Sequence, residues 1–156
     1  MYLEKVKQQA EICLRFDPRP FIPCTLEEIE GIEQNIKHLL PGTYREFLLW
    51  MGRSGGGFLR GSDCFYKHLG DIQIWARELL EEDHFPGEIP ENAFVFFMHQ
   101  GYQFNFFSLN EGDNPPIYYY LEESPTRTSF LQIYPHFSDF LLTEMNGHLR
   151  LAKNAH

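Results

Sequence analysis

Apolar residues recur along this chain at two spacings, helical through most of the first half and strand-like through most of the second. Leu3, Val6, Ala10, Cys13 and Leu14 form a one-sided helical stripe, which predicts a first helix over residues 2–15 packed on a core. Pro18, Pro20 and Pro23 follow. Each lacks a backbone donor and turns its predecessor away from the helical region, so an extended strap is expected there. At Thr25 the run TLEE reads as a capping box, in which the hydroxyl and the carboxylate three residues later answer orphan amides at a helix start. The helix it opens has its stripe on Leu26, Ile29, Ile32, Ile36 and Leu40, with Glu27, Glu28, Glu30 and Glu33 mostly outside it and toward the positive half of the dipole. Pro41 suits the first position of a third helix, whose stripe is Tyr44, Phe47, Leu48 and Met51 and whose end is Gly52.

Gly52, Gly55, Gly56 and Gly57 then predict tight turning into a β-favouring stretch from Phe58 to Tyr66. Leu69, Ile72, Trp75, Ala76 and Leu79 restore the helical period, and the prolines and glycine of EEDHFPGEIPEN break it into a surface loop. From Ala93 come four aromatic-rich runs, FVFFMHQ, YQFNFFSL, PPIYYYLEE and SFLQIY. Gln100-Gly101, NEGDNPP and SPTRT separate them, the pattern of an antiparallel meander. Phe137, Phe140, Leu141 and Met145 predict a short closing helix that stops at Asn146-Gly147. The fold class expected is α+β: one domain over residues 1–156, an antiparallel sheet of about five or six strands packed with N-terminal, central and C-terminal helices.

Composition narrows the function. The 156 residues are 43% hydrophobic, with 15 Phe and 8 Tyr, enough apolar surface for one core and too much for a disordered chain. The longest apolar run, Ala93 to Met98, is far short of the ~20 residues of a membrane-spanning helix. The N-terminus shows no apolar segment followed by a cleavage site, so a cytoplasmic protein is expected. Lys and Arg number 13 against 22 Asp and Glu, a net charge of -9. That sign opposes binding to a phosphate backbone and suits an encounter with a basic protein. Cys13, Cys24 and Cys64 have no paired spacing and read as buried thiols rather than a disulfide or zinc framework.

Candidate chemistry is sparse. Gly52-Arg53-Ser54-Gly55-Gly56 matches the G-x-S-x-G nucleophile elbow, making Ser54 the one candidate nucleophile of a hydrolase. An elbow needs a strand entering and a helix leaving, whereas here a helix enters and a strand is expected to leave. No metal or cofactor is expected: the seven histidines lack ligand spacing, and no glycine run opens a helix or carries the lysine of a phosphate cradle. The carboxylates Glu111, Asp113, Glu122 and Glu123 fall in or beside expected hairpin turns, where solvent keeps acids ordinary. The aromatics from Phe94 to Tyr120 have no Lys or Arg among them, so they read as sheet packing and not as a platform for bases.

Residues 24–57, CTLEEIEGIEQNIKHLLPGTYREFLLWMGRSGGG, resemble the signature region of the SUKH superfamily, the Smi/Knr family of cell-wall assembly regulators. A capped acidic helix leads there into Leu-Pro, Tyr, Phe-Leu and a glycine turn, matched by Leu40-Pro41, Tyr44, Phe47-Leu48 and Gly55-Gly56. PENAFVFFMHQGYQFNFFSL and PPIYYYLEE are similar to the family's paired strands, and FSDFLLTEM to its closing helix, so the likeness runs from about residue 20 to 146. Met51 stands where that family's Asn-Gly turn has asparagine, and Tyr102 and Phe107 stand where acidic residues are common. The resemblance implies a non-catalytic protein-binding domain, commonly a bacterial immunity protein that neutralises a toxin domain, often a nuclease. Eukaryotic relatives serve instead as regulatory scaffolds, the alternative reading. The expected partner is a toxin domain with a basic surface, and the expected contacts are the loop residues Glu81, Glu82, Asp83, Tyr102, Glu111, Asp113, Glu122 and Glu123.

Overall fold

The computed structural model describes residues 2–15, 17–122 and 129–154. Helix α1 (Glu4–Cys13) is shorter than its stripe predicts, and buries Val6 and Ala10. The strap follows as extended chain, held by Ile22, whose carbonyl accepts from the amides of Arg53 and Ser54 at 2.9 and 3.1 Å. Helix α2 (Leu26–Ile36) starts at the expected capping box: Thr25 Oγ1 accepts from the Glu28 amide, and Glu28 Oε1 accepts from the Thr25 amide at 2.9 Å. Arg53 donates to the same Glu28 carboxylate, tying the start of α2 to the turn after α3.

Two expectations for α2 are corrected. Leu26 is 51% exposed, because the first turn overhangs the core. Glu33 is buried, accepting from the Leu40 amide at 2.7 Å and facing Arg45 at 3.5 Å, so it anchors the link to α3. Helix α3 (Gly42–Met51) has Pro41 at its N-cap, one place earlier than the sequence suggests. Its stripe Tyr44, Phe47, Leu48 and Met51 is fully enclosed. Gly52 ends it where a Cβ would stand 2.4 Å from Cys24 Sγ, a close approach that excludes any side chain.

The expected strand from Phe58 to Tyr66 is reduced to β1 (Ser62–Asp63), because Leu59 and Gly61 take left-handed conformations that turn the chain. A 3₁₀ turn (Tyr66–His68) leads into α4 (Leu69–Glu82), which is longer than predicted and takes in Glu81 and Glu82. The meander is as expected: β2 (Ala93–His99), β3 (Gln103–Ser108), β4 (Ile117–Leu121) and β5 (Leu131–Tyr134). With β1 they form one antiparallel sheet in the order β1-β2-β3-β4-β5. Gln100 and Gly101, both at positive φ, make the tight β2–β3 turn. Helix α5 (Phe137–Asn154) continues through Asn146-Gly147 and does not stop there. No helix among the described residues is long and apolar enough to cross a membrane.

Helix α4 covers one face of the sheet at β2, and α5 with α1 and α3 covers the other. A bulge in β2 between Val95 and Phe97 places Phe96 and Phe97 both against Phe140 of α5, at 5.1 and 5.4 Å between ring centroids. Beyond the short edge of β1, the Gln73 side chain bonds both the amide and the carbonyl of Val95, at 3.0 and 2.6 Å. It thereby answers backbone groups that an edge strand leaves open. The α5-side core is aromatic: Tyr44 meets Phe94, Phe107 and Phe137 at 5.5, 5.2 and 5.5 Å.

Candidate functional site

The β1–β2 ladder pairs Ser62 with His99 and Asp63 with Met98. Successive side chains of a strand point to opposite faces, so this two-rung ladder feeds two different surfaces. Asp63 and Met98 belong to a groove on the α4 side, with a volume of about 270 Å³. Ser62 and His99, whose Oγ and Nδ1 are 2.9 Å apart, belong to a cavity on the α5 side of about 590 Å³.

The α4 groove is acidic and carries a tryptophan. Asp71, Trp75, Glu78 and Glu82 lie on one helical stripe, and Trp75, Glu78 and Glu82 line the groove opposite Asp63. Trp75 is 38% exposed and Ile74 beside it 55%. His68 stands among these groups, 3.9 Å from Asp63, 3.6 Å from Asp71 and 6.1 Å from the Trp75 ring. Glu78 and Glu82 are like charges one turn apart, and the last turn of α4 contains no basic residue. Both features oppose the helix dipole and each other, so this arrangement does not serve helix stability. The sequence stripe assigns Trp75 to the core. The structure places it at the edge of that stripe, partly exposed beside the exposed Ile74.

The expected contact residues fall in two places. Glu81 and Glu82 occupy the end of α4 rather than a loop, and Asp83 caps it while accepting a hydrogen bond from Tyr120 Oη on β4. Tyr102, half-buried against His99, and the exposed Glu122 meet at the same end of the sheet, where the Glu122 amide donates to the Tyr102 carbonyl at 2.9 Å. Glu111 and Asp113 lie at the other end of β3. Glu111 accepts from Tyr118 Oη at 3.0 Å. Asp113 accepts from the Gly42 amide at 3.1 Å and from Tyr2 Oη at 3.4 Å, while its carbonyl takes the Thr43 amide and hydroxyl. Asp113 braces the β3–β4 loop against the start of α3, and Glu111 ties the loop to β4. Glu123 lies outside the described residues.

The α5-side cavity has rings for walls and polar groups at its base. Phe97 and His99 lie parallel with centroids 6.4 Å apart, and Phe58 meets His148 edge-on at 6.4 Å. Gln103 donates to Asn105 Oδ1 at 3.3 Å, and Asn105 is buried. Glu144 projects from α5, and burial raises its carboxyl above the usual range, an effect that His99 partly offsets. Sequence reasoning missed this cavity because it ends the closing helix at Gly147, beyond which His148 has no place.

Ser54 follows a helix, as the sequence indicates, and precedes a turn instead of a strand. Its Oγ accepts from the Gly56 amide at 3.2 Å and its backbone pairs with Ile22. Cys24 and Cys64 are buried free thiols and Cys13 is half-buried. Burial pushes the Cys24 thiol up to about 11 and raises Cys64 as well, so neither is a ready thiolate.

No curated protein matches this chain. The family model of the SMI1-KNR4 cell-wall proteins, SUKH_6, matches residues 26–141, from the first turn of α2 into α5. That span holds the whole acidic groove, while Glu144, Gly147 and His148 of the α5-side cavity lie just beyond it. Of the residues that depart from the family pattern, Met51 and Phe107 are fully buried, while Tyr102 is half-buried at the β2–β3 turn. With about three quarters of its length matched and with capped helix, Leu-Pro link, glycine turn and antiparallel meander in the expected order, this chain belongs to the SUKH superfamily, in its SMI1-KNR4 cell-wall family.

Proposed function

We propose that this protein is a non-catalytic binding module that neutralises a basic toxin domain, such as a nuclease, by covering it. Family membership supports a binding role. The observation that carries the reading is the α4 stripe, where Trp75 stands among Asp63, Glu78 and Glu82 with no basic residue in the last helical turn. An aromatic anchor contributes buried area at low rotamer cost, and carboxylates held together against the helix dipole gain only when a cation meets them.

The test is whether this protein inhibits a basic toxin domain sought among the genes that adjoin its own. Wild-type protein is expected to block toxin activity at a one-to-one ratio, and Trp75→Ala with Glu78→Lys to lose the block while keeping a native thermal transition. Full inhibition by that double variant would remove the groove from the interface. An adjacent toxin domain that does not bind at all would favour a scaffold role.

A further inference from the structure

We propose that the cavity beneath α5 is a receptor site for a flat organic cation of the guanidinium or amidinium class. The site lies beyond the proposed toxin interface, on the opposite face of the β1–β2 edge. Its volume of about 590 Å³ lies within the range of small-ligand sites. Glu144 carries the argument: its half-buried carboxylate lines the cavity with neither a hydrogen-bond donor nor a salt-bridge cation on it among the described residues. A carboxylate withdrawn from water without a partner is costly, and a ligand that supplies the missing cation recovers that cost.

The surroundings select the kind of cation. Phe58, Phe97 and Tyr134 line the cavity, and the faces of aromatic rings attract cations through the ring quadrupole. A guanidinium is planar and weakly hydrated, so it stacks on rings where an ammonium would keep its water. Gln103 spends its amide N–H on Asn105, which leaves Gln103 Oε1 to accept from a ligand N–H. A metal ion does not fit, since among the described residues no three His, Cys, Asp or Glu converge to hold one. Gly147 lines the cavity with no atom within 4 Å of where its Cβ would be, so a side chain placed there has room to occupy the site. Arg60 also lines the cavity but is exposed, so solvent screens its charge more than that of the half-buried Glu144.

The probe is benzamidinium, with benzamide as its neutral isostere, titrated into the isotopically labelled full chain at neutral pH and followed by NMR. Saturable shifts are expected at Ser62, His99, Gln103 and Gly147, with benzamide weaker by about tenfold or more. Glu144→Gln is expected to cost a similar factor with the rest of the spectrum unchanged. Gly147→Leu fills the site and blocks binding with the carboxylate still in place. Affinity should fall as pH drops through the Glu144 titration, because the proton competes with the ligand for the carboxylate; His99, His148, Arg60 and Tyr134 are the other ionisable groups that line the cavity. Equal binding of benzamide, an unweakened Glu144→Gln, or shifts away from the cavity would overturn the proposal. A capped Gly-Arg-Gly peptide separates the sources: binding comparable to benzamidinium indicates an arginine presented by a protein, and exclusion of the peptide indicates a free small cation.

Discussion

The two ends of one sheet surface, the α5-facing side of β2 and β3, are made by the same strands and differ completely in chemistry. At one end Phe94, Phe96 and Phe107 close on Tyr44 and Phe137 in stacked and edge-on pairs. At the other end the same rows continue as His99, Gln103 and Asn105 beneath Glu144. Strand geometry makes both ends equally available for packing, so the change to polar groups is a choice of side chain and not of backbone. The aromatic end binds α3 and α5 to the sheet. The polar end gives up that cohesion and keeps a cavity.

This contrast is broken most forcefully at the aromatic end. Phe107→Ala is expected to destabilise by about 3–5 kcal/mol, read from the midpoint of denaturant unfolding, because the ring is fully buried among four others. Tyr44→Phe should go the other way. The Tyr44 hydroxyl is buried with no hydrogen-bond partner, so its removal is expected to stabilise by about 1 kcal/mol in the same assay.

Acids sharpen the comparison by the sign of their pH dependence. Burial raises the folded-state pKa of Glu144, so its ionisation weakens the fold as pH rises. Glu144→Gln should therefore raise the melting temperature at neutral pH and lose that advantage in acid, where both forms are neutral. At the capping box, hydrogen bonds from Arg53 and then from the Thr25 amide hold the Glu28 carboxyl down at about 2. Asp17, bonded by the Arg19 side chain and amide, is also lowered to about 2. Their contribution is present above the ordinary carboxylate range and is lost as pH falls toward 2. Glu28→Gln should accordingly flatten the acid limb of the stability profile, opposite in sense to Glu144→Gln. At the α4 groove, Trp75→Ala removes a ring that is 38% exposed and is expected to weaken partner binding more than it weakens folding, read by comparing partner affinity with the unfolding midpoint.

How much of this was legible in the sequence follows from how local each signal is. The capping box of Thr25 and Glu28, the α3 stripe and the Gln100-Gly101 turn are set by neighbours in the chain, and each is found where the residues indicate. Glu33 reads as a solvated acid because nothing local reveals that Leu40 and Arg45 return to it. Gly147 reads as a stop because glycine disfavours helix, whereas packing of α5 on α1 carries the helix past it. The same limit hides the cavity, which needs Gly57 to Ser62, β2, β3, β5 and α5 to converge from five parts of the chain. The acidic groove is half legible: Glu82 reads as a contact, whereas Trp75 falls on the core stripe.

The central claim is that the Trp75, Glu78 and Glu82 stripe meets a basic protein. Its most direct test is the association rate of a basic toxin domain from the adjoining genes with wild-type protein and with Glu78→Lys/Glu82→Lys, measured across ionic strength. The account predicts a wild-type rate that falls steeply as salt rises, and a variant about tenfold or more slower at low salt with a flattened dependence. A rate that ignores ionic strength and is the same for both proteins would contradict it.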